Sequence, residues 1–349
     1  MALLNRPAMR GGLLALLAAV LFGLSTPLVQ QLGKGLGAFT TAALLYAGAA
    51  LIAVSLRQPA QREARLQQSD IRRLVAMAGF GAVVGPVALA WGLQRTSGAS
   101  ASLMLTLEAL FTAVLAWRLY GEGMDRRVGA AMLLLLAGGA ALVLDQGLAG
   151  GVQLLGLLAV LAATVAWGVD NTLSRGVAER DPGQVVLVKA VLGTLATGAL
   201  ALVARETLPS LGTGLGLLAV GATGYGLSLR FYLLAQRAFG AARTGSVFAF
   251  APFIGALGAF AFGDRSIGWI MGCGGALMLA GVALHLAESH GHAHTHEALE
   301  HEHAHRHDDG HHTHPHDDMP DGSHSHAHRH EATRHEHPHV PDAHHLHRH

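Results

Sequence analysis

Residues 98–122 read GASASLMLTLEALFTAVLAWRLYGE, and residues 240–264 read GAARTGSVFAFAPFIGALGAFAFGD. The two stretches align without a gap. Gly98/Gly240, Ala99/Ala241, Ala109/Ala251, Phe111/Phe253, Leu115/Leu257 and Gly121/Gly263 coincide, and Glu122 stands opposite Asp264. Just upstream, Gln94–Arg95 matches Gln236–Arg237 at the same offset of 142 residues (236 minus 94). Phe22–Gly23 and Trp167–Gly168 occupy corresponding points of the first and sixth apolar segments. Apolar low-complexity sequence also produces chance matches, so the surrounding organisation has to decide whether this is a duplication.

That organisation is a chain in two chemically distinct parts. Of 349 residues, 51% are hydrophobic and 13% charged, and all 24 histidines lie at position 285 or later. Residues 1–288 carry 20 Lys/Arg against 12 Asp/Glu, whereas residues 289–349 carry 23 His, 4 Lys/Arg and 11 Asp/Glu. The net charge of +1 is therefore +8 in front cancelled by −7 behind. So apolar a front with so few charges excludes a soluble enzyme. The lone Cys273 excludes a disulfide scaffold.

A bilayer core takes about 20 apolar residues per helix. Ten such segments are predicted: 11–32, 37–56, 72–93, 97–119, 127–144, 151–173, 184–204, 211–234, 241–262 and 267–287. The basic start and apolar run of residues 1–27 also fit a signal peptide, but nine further segments favour a first transmembrane helix. Loop arginines and lysines divide fourteen to four between the two sides, Arg6, Arg10, Arg57, Arg62 and Arg65 among the fourteen against Lys34, Arg95, Arg205 and Arg265. The positive-inside rule then places both termini in the cytoplasm of a bacterial inner membrane. Five helices per half is an odd number, so the second copy enters the membrane upside down, the inverted-repeat plan of secondary transporters. The expected fold is an all-α polytopic membrane protein: a five-helix repeat in residues 1–145, a second in 146–288, and a disordered His-rich cytoplasmic tail in 289–349.

LFGLSTP at 21–27, LEALFTAVLAWRLYGE at 107–122, AWGVDNTLSR at 166–175 and GAARTGSVFAFAPFIGALGAF at 240–260 resemble the EamA-type branch of the drug/metabolite transporter superfamily. The resemblance covers residues 11–287. It implies a ten-helix carrier with a central cavity between halves, exporting small solutes. The His-rich extension is similar to that of superfamily members associated with nickel or cobalt resistance.

Charged residues inside a span cost roughly 2.5–3.5 kcal/mol on insertion scales, so they face a partner or a cavity. Glu108, near the middle of the fourth segment, reads as a proton-coupling carboxylate, a cation ligand, or a structural group bonded to a neighbouring helix. Asp170 and Asn171 read as oxygen ligands at a cavity mouth, as a helix-end cap, or as an i,i+4 pair with Arg175. Lys189 and Arg230, the basic residues well inside spans, pair with Asp170 or Glu108, or snorkel. Fixed positive charge there disfavours a bare divalent cation. Pro27, Pro86 and Pro252 each free a backbone carbonyl and allow a kink, for packing or for a solute site. Met104, Met278 and Cys273 read as core residues.

The tail's histidines fall in alternating runs: His290, His292, His294 and His296; His301, His303, His305 and His307; His311, His312, His314 and His316; His324, His326, His328 and His330; His335, His337 and His339; His344, His345, His347 and His349. Imidazole suits nickel, cobalt, zinc and copper(II). HEALEHEHAHRHDD at 296–309 parallels HEATRHEHPHVPDA at 330–343, and interleaved acids can fix the imidazole tautomer. This acidic, duplicated pattern differs from a purification tag. The tail gathers exported metal, buffers metal beside a carrier of something else, or is a pH-responsive, solvated segment.

No nucleotide-binding loop, catalytic triad or compact metalloenzyme motif is present, so neither an enzyme nor a primary pump is expected, and no nucleic-acid partner. The leading expectation is a monomeric or homodimeric exporter of nickel, cobalt or zinc by proton antiport, with no obligatory cofactor. An exporter of amino acids or similar metabolites is the alternative, and a membrane-anchored metal sensor without transport is a third.

Overall fold

The computed structural model describes residues 7–56, 64–120, 126–177, 180–239, 241–266 and 268–286, together with four stretches of the tail. Up to residue 286 its regular elements are all helical, and they fall into ten segments: α1 Pro7–Leu32, α2 Ala38–Ser55, α3 Gln68–Leu93, α4 Gly98–Leu119, α5 Arg126–Ala149, α6 Gly151–Ser174, α7 Pro182–Val203, α8 Leu211–Gln236, α9 in two pieces, Ala241–Phe248 and Ala251–Ala261, and α10 Trp269–Leu286. Eight of them are long and apolar enough to cross a membrane, while α10 and the second piece of α9 are shorter apolar helices. This is a multi-pass membrane protein.

Local chemistry sets the ends. Ser97 accepts from the Ser100 amide at the start of α4, and Ser210 from that of Thr213 at the start of α8. Asp181 accepts from the Gly183 amide, with Pro182 occupying the first turn of α7, where its missing N–H costs nothing. α5 passes into α6 through Gly150 alone, whose φ of 139° an L side chain would resist.

Helix interruptions recur in both halves. α3 contains a seven-residue π segment, Ala78–Val84, and α8 another, Gly221–Leu227. α4 is broken between Met104 and Leu107, and α9 between Phe248 and Ala251. π bulges and broken helices mark functional positions in membrane proteins.

The packing follows an exchange rule, adding five to each helix number in the first half and subtracting five in the second. α1 packs on α8 and α9, and α6 packs on α3 and α4. α2 packs on α8, and α7 on α3. The pairs α2/α7, α4/α9 and α5/α10 each map onto themselves. Small residues permit the close crossings: above Gly48 of α2, a Cβ would stand 2.0 Å from the Leu218 carbonyl oxygen of α8.

One sequence expectation changes here. Cys273 is exposed on α10 and is not a core residue, whereas Met104 and Met278 are buried. In the tail, the backbone of His290–His296, Leu299–His305, His324–His330 and Thr333–His339 is extended, the first stretch beside the fourth and the second beside the third.

Candidate functional site

Four of the predicted intramembrane residues come together between the halves. Asp170 of α6 and Lys189 of α7 form an ion pair, both side chains about 5% exposed. Asn171, the next residue on α6, donates to the carboxylate of Glu108 at the start of the second piece of α4. Asn171 thus links Glu108 to the helix turn that carries Asp170. Asp170 is therefore neither a helix-end cap nor a solvated group. One of its oxygens, Oδ1, is buried without a hydrogen-bond partner among the described residues. Removing either member of such a pair leaves an uncompensated buried charge, at about 3–5 kcal/mol.

The carboxylate sits where α3 offers no side chain. A Cβ on Gly81 would lie 2.2 Å from Asp170 Oδ2, and one on Gly85 would lie 2.7 Å from Trp167 Nε1. The π segment also releases a carbonyl. The Gly85 amide bonds Phe80, and Pro86, next in the π register, has no N–H for Gly81. Gly81 oxygen instead accepts from Trp167 Nε1 at 3.0 Å and from the Tyr46 hydroxyl. Pro86 thus frees a carbonyl, and in the π register that carbonyl is Gly81's.

Aromatic rings adjoin these charges. Phe22 of α1 contacts Trp167 at 5.7 Å, Tyr225 at 6.0 Å and Phe248 at 5.5 Å between centroids. Tyr46 lies 5.6 Å from Tyr225, and Tyr232 lies 5.0 Å from Phe248. The Tyr225 hydroxyl is buried with no hydrogen-bond partner among the described residues. This aromatic group was missed from the sequence, although a signal existed: three of only four tyrosines, Tyr46, Tyr225 and Tyr232, stand inside apolar spans.

Arg230 and Pro252 lie elsewhere. A Cβ on Gly183, in the first turn of α7, would come within 3.1 Å of Arg230 Nη1, so this guanidinium sits beside the Asp181 turn rather than on Asp170 or Glu108. Pro252 is buried in the first turn of the second piece of α9, and the break before it brings the Ala251 carbonyl to Gly23 of α1, where a Cβ would stand 2.4 Å away. Pro252 therefore shapes the helix crossing beside Phe22 and contributes no polar group. The predicted tail ligands at His307, His311, His312, His314, His316, His344, His345, His347 and His349 lie outside the described residues.

Both ends of the bundle are tied across the halves. At the arginine-poor end, Glu206 after α7 accepts from the amides of Phe39 at 3.3 Å and Thr40 at 2.7 Å, at the start of α2. Its carboxylate fills the space over Gly37, where a Cβ would stand 1.8 Å from Glu206 Cδ. Asp264 after α9 accepts from the Ala99 amide at 3.0 Å, at the start of α4. Partial burial pushes the Asp264 carboxyl upward, but hydrogen bonds from Ser266, Ala99 and Gly98 hold it below the usual carboxylate range. At the arginine-rich end the tie is ionic: Arg180 Nε meets Asp70 Oδ2 at 2.9 Å, and the Asp181 amide bonds the Ala64 carbonyl at 2.8 Å. The start of α2 with the α7–α8 loop and the start of α7 with the α2–α3 loop are again related by the exchange of five.

The sequence profile of the EamA-like transporter family matches this chain twice, over residues 9–144 and 154–287. The chain belongs to that family, within the drug/metabolite transporter superfamily. A protein of Methanothermobacter thermautotrophicus described as an uncharacterized transporter is 25% identical over 288 residues, spanning 76% of this chain and 82% of that one. A crystal structure with 19% identity superposes with a TM-score of 0.58 over 79% of this chain and 95% of its own, a likeness of fold.

Proposed function

We propose that the chain is a secondary-active exporter that takes a small organic solute carrying an amine, a carboxylate or both at the Asp170–Lys189 pair, beside the aromatic group of Phe22, Trp167 and Tyr225. The observation that carries this reading is the buried pair itself. A solute ammonium can exchange for Lys189 on Asp170, and a solute carboxylate for Asp170 on Lys189, so the cost of separating the pair is offset by the solute. Glu108 is the proton-exchanging group, poised against Asn171 and one residue from Asp170 along the same interface. Ionised together, Glu108, Asp170 and Lys189 leave one net negative charge, which a proton or a cationic solute balances.

In this reading the halves are inverted repeats. The exchange rule in the packing, the matched π segments and breaks, and the twofold family match support that arrangement. The loop arginines support a bacterial inner-membrane location with both termini cytoplasmic.

A second reading, export of nickel, cobalt or zinc by proton antiport, is favoured by one observation, 23 histidines in the tail. Among the described residues, no group of three or more His, Cys, Asp or Glu is placed to hold a metal ion, and Lys189 opposes one at the site.

The test is flux in proteoliposomes under an imposed pH gradient, with amino acids, amines and carboxylates in one series and Ni2+, Co2+ and Zn2+ in the other. Organic-solute flux that Lys189→Met abolishes supports the first reading. Metal flux that survives Lys189→Met overturns it in favour of the second.

A further inference from the structure

Along α4, Gly98, Ser102 and Thr106 stand four residues apart and share one stripe of the helix. α9 runs antiparallel beside that stripe. A Cβ on Gly98 would stand 3.2 Å from Ala259 Cβ, and one on Gly255 would stand 2.8 Å from Ser102 Oγ. One further turn along each helix brings Thr106 level with Ala251, at the break in α9. The same Cβ on Gly255 would stand 2.8 Å from the Gly23 carbonyl oxygen, so α1 closes the third side of this seam. Ser102 is 0% exposed and Thr106 2%, and neither hydroxyl has a hydrogen-bond partner among the described residues. Elsewhere in the spans, Thr164, Thr172 and Thr197 donate to the carbonyl one turn back, at 2.7–2.8 Å. Ser102 and Thr106 forgo that bond. The breaks also release backbone carbonyls: the Glu108 amide bonds the Leu105 carbonyl at 3.0 Å in place of Met104's, and the Phe253 amide bonds the Phe250 carbonyl at 3.1 Å in place of Ala249's. Buried hydroxyls left unpaired are destabilising, so two on one stripe beside two helix breaks call for a ligand.

We propose that the seam between α4, α9 and α1 binds one sodium ion, held by the hydroxyls of Ser102 and Thr106 together with backbone carbonyls at the breaks. Unwound backbone between the pieces of a broken membrane helix is suited to this, because its carbonyls are no longer spent on the helix ladder. All the donors are neutral oxygens. That set matches a monovalent hard cation, whereas calcium is held through carboxylates and transition metals through nitrogen or sulfur. The seam has no room for a side-chain carbon at Gly255, which favours sodium over the larger potassium. Glu108 lies on another face of α4, bonded by Asn171 of α6, so the sodium site is separate from the proton-exchanging carboxylate and independent of the solute carried. Because α4 and α1 belong to one half and α9 to the other, bound sodium favours the form in which the halves are packed along this seam.

The experiment measures binding of radioactive Na+ to the full-length protein in nanodiscs, with choline keeping the ionic strength constant. Saturable binding of one ion per chain is expected, displaced by unlabelled Na+ and not by choline, and Na+ should raise the unfolding temperature. Ser102→Ala and Thr106→Val, which remove a hydroxyl with little change of shape, should each weaken binding by about tenfold or more. Thr106→Ser keeps the hydroxyl and should stay within about threefold of the parent. Ser100→Ala, equally buried on α4 but with its hydroxyl already on Met271 Sδ, should bind as the parent does. If one of the weakened variants fails to fold, the other carries the test beside Thr106→Ser. No saturable Na+ binding by the parent, or parental binding by both Ser102→Ala and Thr106→Val, overturns the proposal and leaves the two hydroxyls to ordered water. Binding lost in Glu108→Gln but kept in Thr106→Val moves the ion to the carboxylate and overturns it as well.

Discussion

The two halves share a backbone plan but not its chemistry. Phe22, Gly23, Ser25 and Thr26 of α1 correspond to Trp167, Gly168, Asp170 and Asn171 of α6, and Glu108 of α4 to Phe250 of α9. Gly224 in the α8 π segment leaves room for Ser25 as Gly81 in the α3 segment leaves room for Asp170. Ser25 donates to the Phe22 carbonyl of its own helix, whereas Asp170 forms an ion pair with Lys189 of the next helix. The halves thus match in their packing and helix interruptions, and differ in that only one of them carries the buried ion pair.

The largest expected effect breaks that asymmetry. Lys189→Met strands Asp170 in the interior. It should lower stability by about 3–5 kcal/mol and abolish flux, whereas Ser25→Ala at the matching position should cost about 1 kcal/mol or less. Asp170→Asn/Lys189→Met removes both charges, so it should regain most of the stability and none of the flux. Thermal unfolding in detergent beside vesicle flux measures both, and equal losses at Ser25 and Lys189 would remove the distinction between the halves. Next in size, Glu108→Gln should cut pH-gradient-driven flux at least tenfold, about 1.4 kcal/mol, while Phe250→Leu leaves it within about twofold. Flux in Glu108→Gln that stays driven by the gradient would take the proton-exchanging role from Glu108.

The ties at the two ends sharpen the comparison on a smaller scale. Glu206→Gln weakens a carboxylate cap on the start of α2, typically worth about 0.3–1 kcal/mol, and Asp70→Asn weakens an ion pair. A cysteine at Ser25 in a Cys273→Ala background should become more reactive to an impermeant reagent from the arginine-poor side in the first variant and from the arginine-rich side in the second. Reactivity rising from the same side in both would show that the ties are not separate latches. Asp264→Asn should have the smallest effect. Its carboxyl is held below the usual range, so its contribution to stability is complete above about pH 4 and fades as pH falls through its lowered folded value. Acid unfolding of Asp264→Asn should lose that part of the pH dependence and be unchanged near neutrality.

Much of this was legible in the chain. The bilayer's length requirement makes apolar runs readable one by one, and all ten predicted segments coincide with helices to within a few residues at either end. Glu108, Asp170, Asn171 and Lys189 stood out because charge and amide groups are costly in hydrocarbon. Arg230 stood out for the same reason and went elsewhere, because a span's charges do not reveal the helix each faces. The aromatic group was illegible since Phe22, Tyr46, Trp167 and Tyr225 come from four helices and are individually ordinary in a membrane span.

Composition and periodicity alone determined that the chain threads a membrane repeatedly and ends in an imidazole-rich extension, because transfer free energy is summed locally along the sequence. Which carboxylate meets which ammonium, which glycine makes room for it, and which carbonyl a proline and a π turn release were decided by helix crossings. Those are properties of residues dozens of positions apart, set by packing that no local window contains.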